Sequence, residues 1–328
     1  MPISEHLESF GGFAIKDFDP ETGIEDTAKT IYRLRKDPDP PAAPKKTGFS
    51  LFKRKPAEPE PPTDPFEALM ADPNSKNLQG IVYGAWFEDF DPSEGSSAIV
   101  AQMIEAAAKL PNLKALFIGD MTYEECEISW INQTDMSPLF KAYPNLQHFG
   151  VRGSSELKMG PVRHAQLKSL VIECGGLPGS VLRQVLQSEF PSLEHLELYL
   201  GEENYGFDFK VGELEPLLSG IVFPNLCSLG LRDSEIADEI AAAVAKSPIL
   251  SRIKALDLSL GNLSDAGARA LLESPGVAAL ERLDIHHHYV SRELVQKLEK
   301  LGPAVDASDP KEADEDADEA SRYIAISE

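Results

Sequence analysis

The stretch from Ile253 to Leu272 places apolar and polar residues in a pattern that predicts a short strand followed by a helix. Relative positions 1, 4, 6 and 11 are apolar and are filled by Ile253, Leu256, Leu258 and Leu263. Alternation with a period of two is typical of a half-buried strand. After Ser264 and Asp265, which favour a helix N-terminus, the apolar spacing becomes helical. The pattern therefore predicts a strand, a turn and a helix lying behind the strand.

The same pattern recurs along most of the chain. Positions 1, 4 and 6 are filled eight times, at steps of 21 to 35 residues, by Leu78/Ile81/Tyr83, Leu113/Leu116/Ile118, Leu146/Phe149/Val151, Leu167/Leu170/Ile172, Leu193/Leu196/Leu198, Leu226/Leu229/Leu231, Ile253/Leu256/Leu258 and Leu280/Leu283/Ile285. Proline ends the preceding helix in four copies, at Pro111, Pro144, Pro191 and Pro224. Such units stack side by side. We therefore predict an α/β solenoid of about eight repeats with terminal caps, its curved parallel sheet on the concave face and its helices on the convex face.

The unit resembles the leucine-rich repeat, in the longer helix-backed form of ribonuclease-inhibitor-type proteins. Several stretches also resemble a family of bacterial cytosolic leucine-rich-repeat proteins, namely Gly119-Asp-Met121, Glu124-Glu-Cys-Glu-Ile-Ser-Trp130, Gly150-Val-Arg-Gly153, Glu235–Val244 and Leu283–Tyr289. The likeness runs from about residue 76 to the C-terminus, and the stretch ending in Trp130 is its most specific part. It implies a solenoid in the cytoplasm. It supplies no activity and no catalytic residue.

Composition divides the chain into four predicted segments. Residues 1–36 contain short apolar runs and are the candidate N-terminal cap, which a solenoid needs because a single repeat cannot bury its exposed end. Residues 37–64 are rich in proline, carry a basic cluster and are predicted to be a flexible linker. Residues 65–303 form the predicted solenoid. Residues 304–328 are an acidic tail whose alternating end, 322–328, we expect to pair as a strand with an exposed sheet edge.

The charge balance bears on the class of partner. A formal net charge of −23 repels polyphosphate backbones and anionic membranes, so we expect neither nucleic acid nor membrane as a partner, and a basic protein is favoured. No stretch approaches the roughly 20 apolar residues of a membrane helix, and the N-terminus lacks a secretory pattern. We therefore expect a cytoplasmic location. The sequence leaves the oligomeric state open.

The concave face is the predicted site. Positions 4 and 6 of each strand point into the core, so positions 3, 5 and 7 point to the concave face. A broad concave surface is what a solenoid offers to a partner, and Tyr and Arg often dominate interface energies. The predicted partner-binding residues are Arg152, Glu173, His195, Glu197, Tyr199, Arg232, Asp257, Asp284 and His286. Neighbouring strands also let Arg152 pair with Glu173, and His195 with Ser169 or Ser228. The alternative is a solvated sheet face with incidental charges.

An insertion over residues 120–133 is too long for a simple turn. Long loops on a rigid scaffold often carry binding residues. With the loop of the preceding repeat, it is predicted to form an acidic and aromatic rim that binds the partner, made of Trp86, Asp120, Glu124, Glu125, Glu127 and Trp130. The alternative is a capping excursion in which Trp130 is a buried anchor.

Residue patterns for catalysis are missing from the sequence. It contains no P-loop, no strand-linked GxGxxG, no HExxH and no GxSxG, and its three cysteines lack metal-ligand spacing. His286 and His288 share one side of an extended segment, but Asp284 is the only carboxylate of matching parity close in sequence. We therefore predict no catalytic residue, no metal and no cofactor.

The predicted function is a non-catalytic protein–protein interaction module. One alternative is an inhibitor or antitoxin-like protein that neutralises a basic enzyme, such as a nuclease, by charge complementarity. The second alternative is an enzyme or a metal-dependent protein.

Overall fold

One continuous sheet organises the molecule. The computed structural model describes residues 3–36, 64–87, 94–313 and 321–327. Within these ranges twelve strands follow one another in chain order across a single sheet. The first pair is antiparallel, and every later neighbour pairs in parallel. Apart from Asp64, the predicted linker lies outside the described residues, as does the acidic run over 314–320.

Short strands alternate with short helices. The strands are β1 Ser9–Phe10, β2 Phe13–Asp17, β3 Thr30–Leu34, β4 Gly80–Tyr83, β5 Ala115–Ile118, β6 His148–Arg152, β7 Ser169–Glu173, β8 His195–Gly201, β9 Ser228–Ser234, β10 Ala255–Asp257, β11 Arg282–Asp284 and β12 Ala304–Asp306. The helices are α1 Pro65–Ala71, α2 Ser97–Ala106, α3 Ser137–Ala142, α4 Gly179–Leu186, α5 Glu215–Leu218, α6 Ala237–Val244, α7 Asp265–Leu272, α8 Pro275–Ala278 and α9 Arg292–Leu298. None of these described helices is long and apolar enough to cross a bilayer.

The eight predicted strand patterns coincide with β4 to β11. Their position-4 side chains pair in register from strand to strand and are fully buried: Ile81, Leu116, Phe149, Leu170, Leu196, Leu229, Leu256 and Leu283. The helices supply the opposite wall of this core, with Met103 of α2 and Ile240 of α6 fully buried. The predicted α/β solenoid is confirmed.

The sheet continues beyond the eight repeats at both ends. Tyr32 of β3 pairs with Ile81 of β4, and Leu283 of β11 pairs with Val305 of β12. Residues 321–327 form no strand, in contrast to the edge strand that the alternation suggested. β12 already occupies the C-terminal edge of the sheet, and the end of the chain instead returns to the turn after β10, where the N–H of Ala325 donates to the Leu260 carbonyl at 2.8 Å.

Within the described part of the chain, two apolar clusters lie on opposite sides of the sheet. The large one fills the space between the sheet and the helices. The small one lies on the concave side and consists of Phe10, Ile31, Val82, Ala115, Phe117 and Val171, with Leu7, Phe13 and Ile15 packed against it. Because successive side chains of a strand point to opposite faces, Val82 belongs to the concave side while its neighbour Ile81 belongs to the core. The β1–β2 hairpin covers this part of the concave face.

Candidate functional site

The predicted site residues form three charged clusters along the concave face. In the first, Arg152 and Glu173 face each other in register on β6 and β7, and Arg152 Nε donates to Glu173 Oε2 at 2.7 Å. The Arg152 guanidinium also lies 3.3 Å from Asp120 and 5.8 Å from the centre of the Phe117 ring. Arg152 is only 2 % exposed. The anticipated ion pair is present, but it is buried and offers almost no surface to a partner.

Asp120 is the centre of this first cluster. It is fully buried and also accepts from Arg33 Nε at 2.7 Å and from the Leu7 N–H at 3.1 Å. Burial on its own would raise the pKa of Asp120. The hydrogen bond from His6, together with the Arg152 and Arg33 guanidinium groups, outweighs that effect and lowers the pKa. Asp120 therefore acts as an anchor beneath the N-terminus and not as part of an exposed rim.

The second cluster surrounds Arg232 on β9. Its Nη1 donates to Glu197 at 2.8 Å and its Nε donates to Ser259 Oγ at 3.0 Å. The guanidinium also lies 3.4 Å from Asp257, and it stacks on Tyr199 with 4.8 Å between guanidinium carbon and ring centre. These four neighbours fix a planar, charged side chain in one orientation.

His195 extends the second cluster along β8. Its Nδ1 lies 3.0 Å from Ser228 Oγ, one of the two partners suggested by strand spacing, and its Nε2 lies 3.4 Å from Glu197 Oε2. Burial would raise the pKa of Glu197, but the hydrogen bond from His195 and the Arg232 charge lower it. Glu197 is thus a carboxylate held between two donors.

The third cluster joins β11 and β12. His286 Nδ1 and Asp284 Oδ1 are 2.7 Å apart, and Arg282 donates to the other Asp284 oxygen at 2.7 Å. Burial would raise the pKa of Asp284, but the His286 hydrogen bonds lower it to about 2. Asp306 lies next to this pair, because it is in register with Asp284.

Asp284, His286 and Asp306 each offer a ligand atom, and these atoms lie within 4.8 Å of one another. The aspartates already have another role, since Asp284 and Asp306 each accept the N–H two residues ahead and so close the turn after their strand. His288, the other histidine considered for a metal, is 1 % exposed and its two ring nitrogens hydrogen-bond with the main chain at Ala307 and Val290. The structure does not bring His286 and His288 together as a ligand pair.

Exposure separates the predicted residues into two groups. Arg152, Glu173, Tyr199 and Asp284 are buried. The side chains of His195, Asp257 and His286 are 34 %, 26 % and 28 % exposed. We call the accessible face of β8–β12 the open surface, made of His195, Glu197, Arg232, Asp257, Arg282, His286 and Asp306.

Arg282 and Asp306 are members of the open surface that sequence reasoning missed. Arg282 occupies position 3 of a recognised repeat, so the sequence predicts that its side chain points to the concave face. The sequence does not predict that this side chain pairs with Asp284. Asp306 ends Ala304-Val305-Asp306, which repeats the alternation of Ala255-Leu256-Asp257 in a strand outside the eight copies.

The predicted rim is not formed as a single surface. Trp86 is 8 % exposed, donates from Nε1 to the Glu94 carbonyl at 3.1 Å and lines a cavity of about 320 Å³ with Phe66 and Tyr83. Trp130, in contrast, is 51 % exposed, so the alternative in which it is a buried anchor is wrong. Glu124 and Glu127 are exposed beside it in the insertion, and Glu125 is half-buried.

Solved structures similar to this chain include a protein from Bacteroides fragilis. It is 36 % identical over 75 % of this chain and 70 % of that one, with a TM-score of 0.71. An internalin from Listeria monocytogenes is 14 % identical over 74 % of this chain and 70 % of its own, and its TM-score of 0.38 is too low to support an argument. No protein-family model matches the sequence, and neither does any curated protein.

Proposed function

This chain belongs to the same family as the Bacteroides fragilis protein, and we propose that it works as a non-catalytic module that binds a protein partner on the concave face of its solenoid. The observation that carries the proposal is the open surface, where ion pairs join Glu197, Arg232 and Asp257 across β8–β10 and join Arg282 and His286 to Asp284 at β11. Binding to such a surface loses little side-chain entropy, because the rotamers are already fixed. The proposal places the protein in the bacterial cytoplasm, with neither nucleic acid nor a membrane as its partner.

The charges of the open surface favour a basic partner. The carboxylates of Glu197, Asp257 and Asp306, with Asp284 beneath them, outnumber the guanidinium groups of Arg232 and Arg282. Complementary charge speeds encounter and sets orientation. A loop or helix that presents Lys or Arg side chains would add ion pairs to those that join β8, β9 and β10 and to those at β11.

An inhibitor that neutralises a basic enzyme is the second candidate. The net charge of −23 and the acidic open surface support it. Such an inhibitor would bind its enzyme one to one, tightly and with a steep loss of affinity as salt is raised, whereas a scaffold would tolerate salt better.

The test is a cross-linked pull-down from native cell extract with three forms of the full chain. The first is the wild type and the second is Asp257→Asn/Asp306→Asn, in which each Asn keeps the oxygen that accepts the turn N–H. The third is the control Glu105→Gln/Glu293→Gln, which removes the same charge from exposed positions of α2 and α9. Circular dichroism first checks that all three fold.

We expect one specific protein to be recovered with the wild type and the control, and its recovery to fall about tenfold with the open-surface variant. Stoichiometry and salt elution of that complex then separate inhibitor from scaffold. Equal recovery with all three forms would place the binding site elsewhere and overturn the proposal.

A further inference from the structure

The N-terminal segment, residues 3–10, lies across the concave face well inside the sheet. Phe10 packs edge-to-face on Phe117 of β5, with ring centres 5.3 Å apart, and lies 6.4 Å from the ring of His148 on β6. The last two residues of the segment, Ser9 and Phe10, form β1 and pair with β2 at the edge of the sheet, and covering that edge is all that a cap has to do. Reaching β5 and β6 goes beyond that task.

The contacts of this segment resemble those of a bound peptide. The Leu7 N–H donates to Asp120, and the Leu7 carbonyl accepts from Arg33. The His6 ring lies 3.0 Å from the Asp120 carbonyl and 3.4 Å from Glu125. At the far end, the Ile3 carbonyl accepts from the Tyr123 N–H at 2.8 Å. The segment is thus held through its main chain, one basic ring and one aromatic ring.

The surface beneath the segment is built by other parts of the chain. Ile31, Val82, Ala115, Phe117 and Val171 supply its apolar floor. Its acidic end consists of Asp120 and Glu125, and Arg33 and Arg152 hold Asp120 in place from the sheet itself. If the segment were released, the apolar floor and the acidic end would both remain in position.

We infer that this surface over β3–β7 is a peptide-binding site that residues 3–10 occupy in cis. Its partner would be an extended protein segment with a basic side chain four residues before an aromatic one, as His6 stands before Phe10. The inference goes beyond the proposed function, which concerns the open surface over β8–β12. A tethered segment acts at millimolar effective concentration, so an outside segment binds only when it outcompetes the tether.

The competition can be measured with a labelled synthetic peptide of residues 3–12. The peptide is titrated against full-length wild type, against His6→Ala/Phe10→Ala, which weakens the tethered segment, and against Glu5→Ala/Ser9→Ala. The last pair changes exposed side chains of the same segment and is the matched control. Fluorescence anisotropy reports binding, and a peptide carrying both alanines tests specificity.

We expect the His6→Ala/Phe10→Ala protein to bind the native peptide at least ten times more tightly than the wild type or the control does. The doubly substituted peptide should bind none of them. A folded His6→Ala/Phe10→Ala protein that fails to bind the native peptide would overturn the inference.

Hydrogen exchange on the wild type gives a second test that requires no variant. If residues 3–10 occupy a site from which they can leave, the N–H of Leu7 exchanges at least ten times faster than the N–H groups of β3. Exchange at the same rate would show a segment that opens only with the sheet, and would contradict the inference even if the variant failed to fold.

Discussion

The Asp233 carboxylate holds the end of the chain, because its Oδ1 accepts the N–H of Ile326 at 2.9 Å across 93 residues of sequence. The same oxygen accepts the N–H of Ala325 at 3.1 Å. Asp233 is fully buried at a φ of 52°, and no described group hydrogen-bonds to its Oδ2. Burial raises the pKa of this carboxyl well above its ordinary value, against the opposing effect of the two N–H donors. The carboxyl is therefore a neutral acid through the ordinary titration range of aspartate.

Asp233→Asn should match or exceed the stability of the wild type at pH 7. The amide keeps an acceptor for both N–H groups, and Asn tolerates positive φ. Asp233→Ala should lower the free energy of unfolding by about 1–2 kcal/mol, because the Ile326 N–H loses its acceptor and the Ala325 N–H keeps only the Leu260 carbonyl. Urea unfolding followed by circular dichroism measures both variants, and equal losses would show that Oδ1 does not hold the tail.

The same carboxyl gives stability a pH dependence. A group whose pKa is higher in the folded than in the unfolded chain contributes fully below the unfolded value, about 4 for Asp, and loses that contribution as pH rises through the folded value. Asp233→Asn should therefore gain on the wild type as the pH increases from 4 to 8. If the difference between their unfolding free energies did not change with pH, the pKa of Asp233 would not be raised in the folded chain.

His6 should make docking of the N-terminal segment sensitive to alkali. Hydrogen bonds to Asp120 and Glu125 raise the pKa of His6 from 6.5 to about 9. Its contribution is complete below pH 6.5 and is lost as the pH rises through 9. Discounted for partial solvent screening, that contribution is about 2 kcal/mol. The stability difference between wild type and His6→Gln should shrink from that value at pH 6 to near zero at pH 10, and a pH-independent difference would rule out the ion pairs.

Arg232 should not be replaceable by lysine. Lysine has neither a planar guanidinium to stack on Tyr199 nor an Nε to donate to Ser259 while its terminal group donates to Glu197. Arg232→Lys should therefore lower the free energy of unfolding by about 1–2 kcal/mol. Arg282→Lys is the control, since Arg282 is 61 % exposed and its pair with Asp284 should cost less than about 0.5 kcal/mol to alter. Comparable losses in denaturant unfolding would show that the geometry around Arg232 is unimportant.

Gly150 should resist enlargement. A Cβ at this position would lie 2.2 Å from Phe117 and 3.1 Å from Phe10, so Gly150→Ala must displace the rings that seat the N-terminal segment. We expect a loss of about 1–3 kcal/mol and faster hydrogen exchange at residues 3–10. Gly212→Ala, whose Cβ would meet no atom within 4 Å, should change neither quantity. An unchanged exchange rate at residues 3–10 in Gly150→Ala would show that the position of the Phe117 ring does not affect how the segment is held.

The repeats were predictable because the alternation of apolar residues that marks each strand lies within a few residues of sequence, as it does at Leu256 and Leu258. The direction of Arg152 and Glu173 followed from the same parity. Their burial did not, because it depends on contacts with the insertion after β5, such as those of Arg152 with Asp120 and Met121. Nothing about His6 and Leu7 marks them as partners of Asp120, and nothing about Asp233 marks it as the acceptor for Ile326. Contacts between residues far apart in the sequence are not part of the repeating pattern, so the pattern does not predict them.

The attachment of both chain ends to interior residues bears on how the molecule carries a mechanical load. A force that pulls Ile3 away from Ile326 would meet the contacts at Tyr123 and Asp233 before it reached β1 or β12. The first is a main-chain hydrogen bond in the insertion after β5, and the second is a hydrogen bond to a side chain of β9. The terminal strands are thereby protected from the force at first. A pulled molecule would break the Ile3–Tyr123 and Ile326–Asp233 hydrogen bonds first, and the stacked repeats would unfold only afterwards.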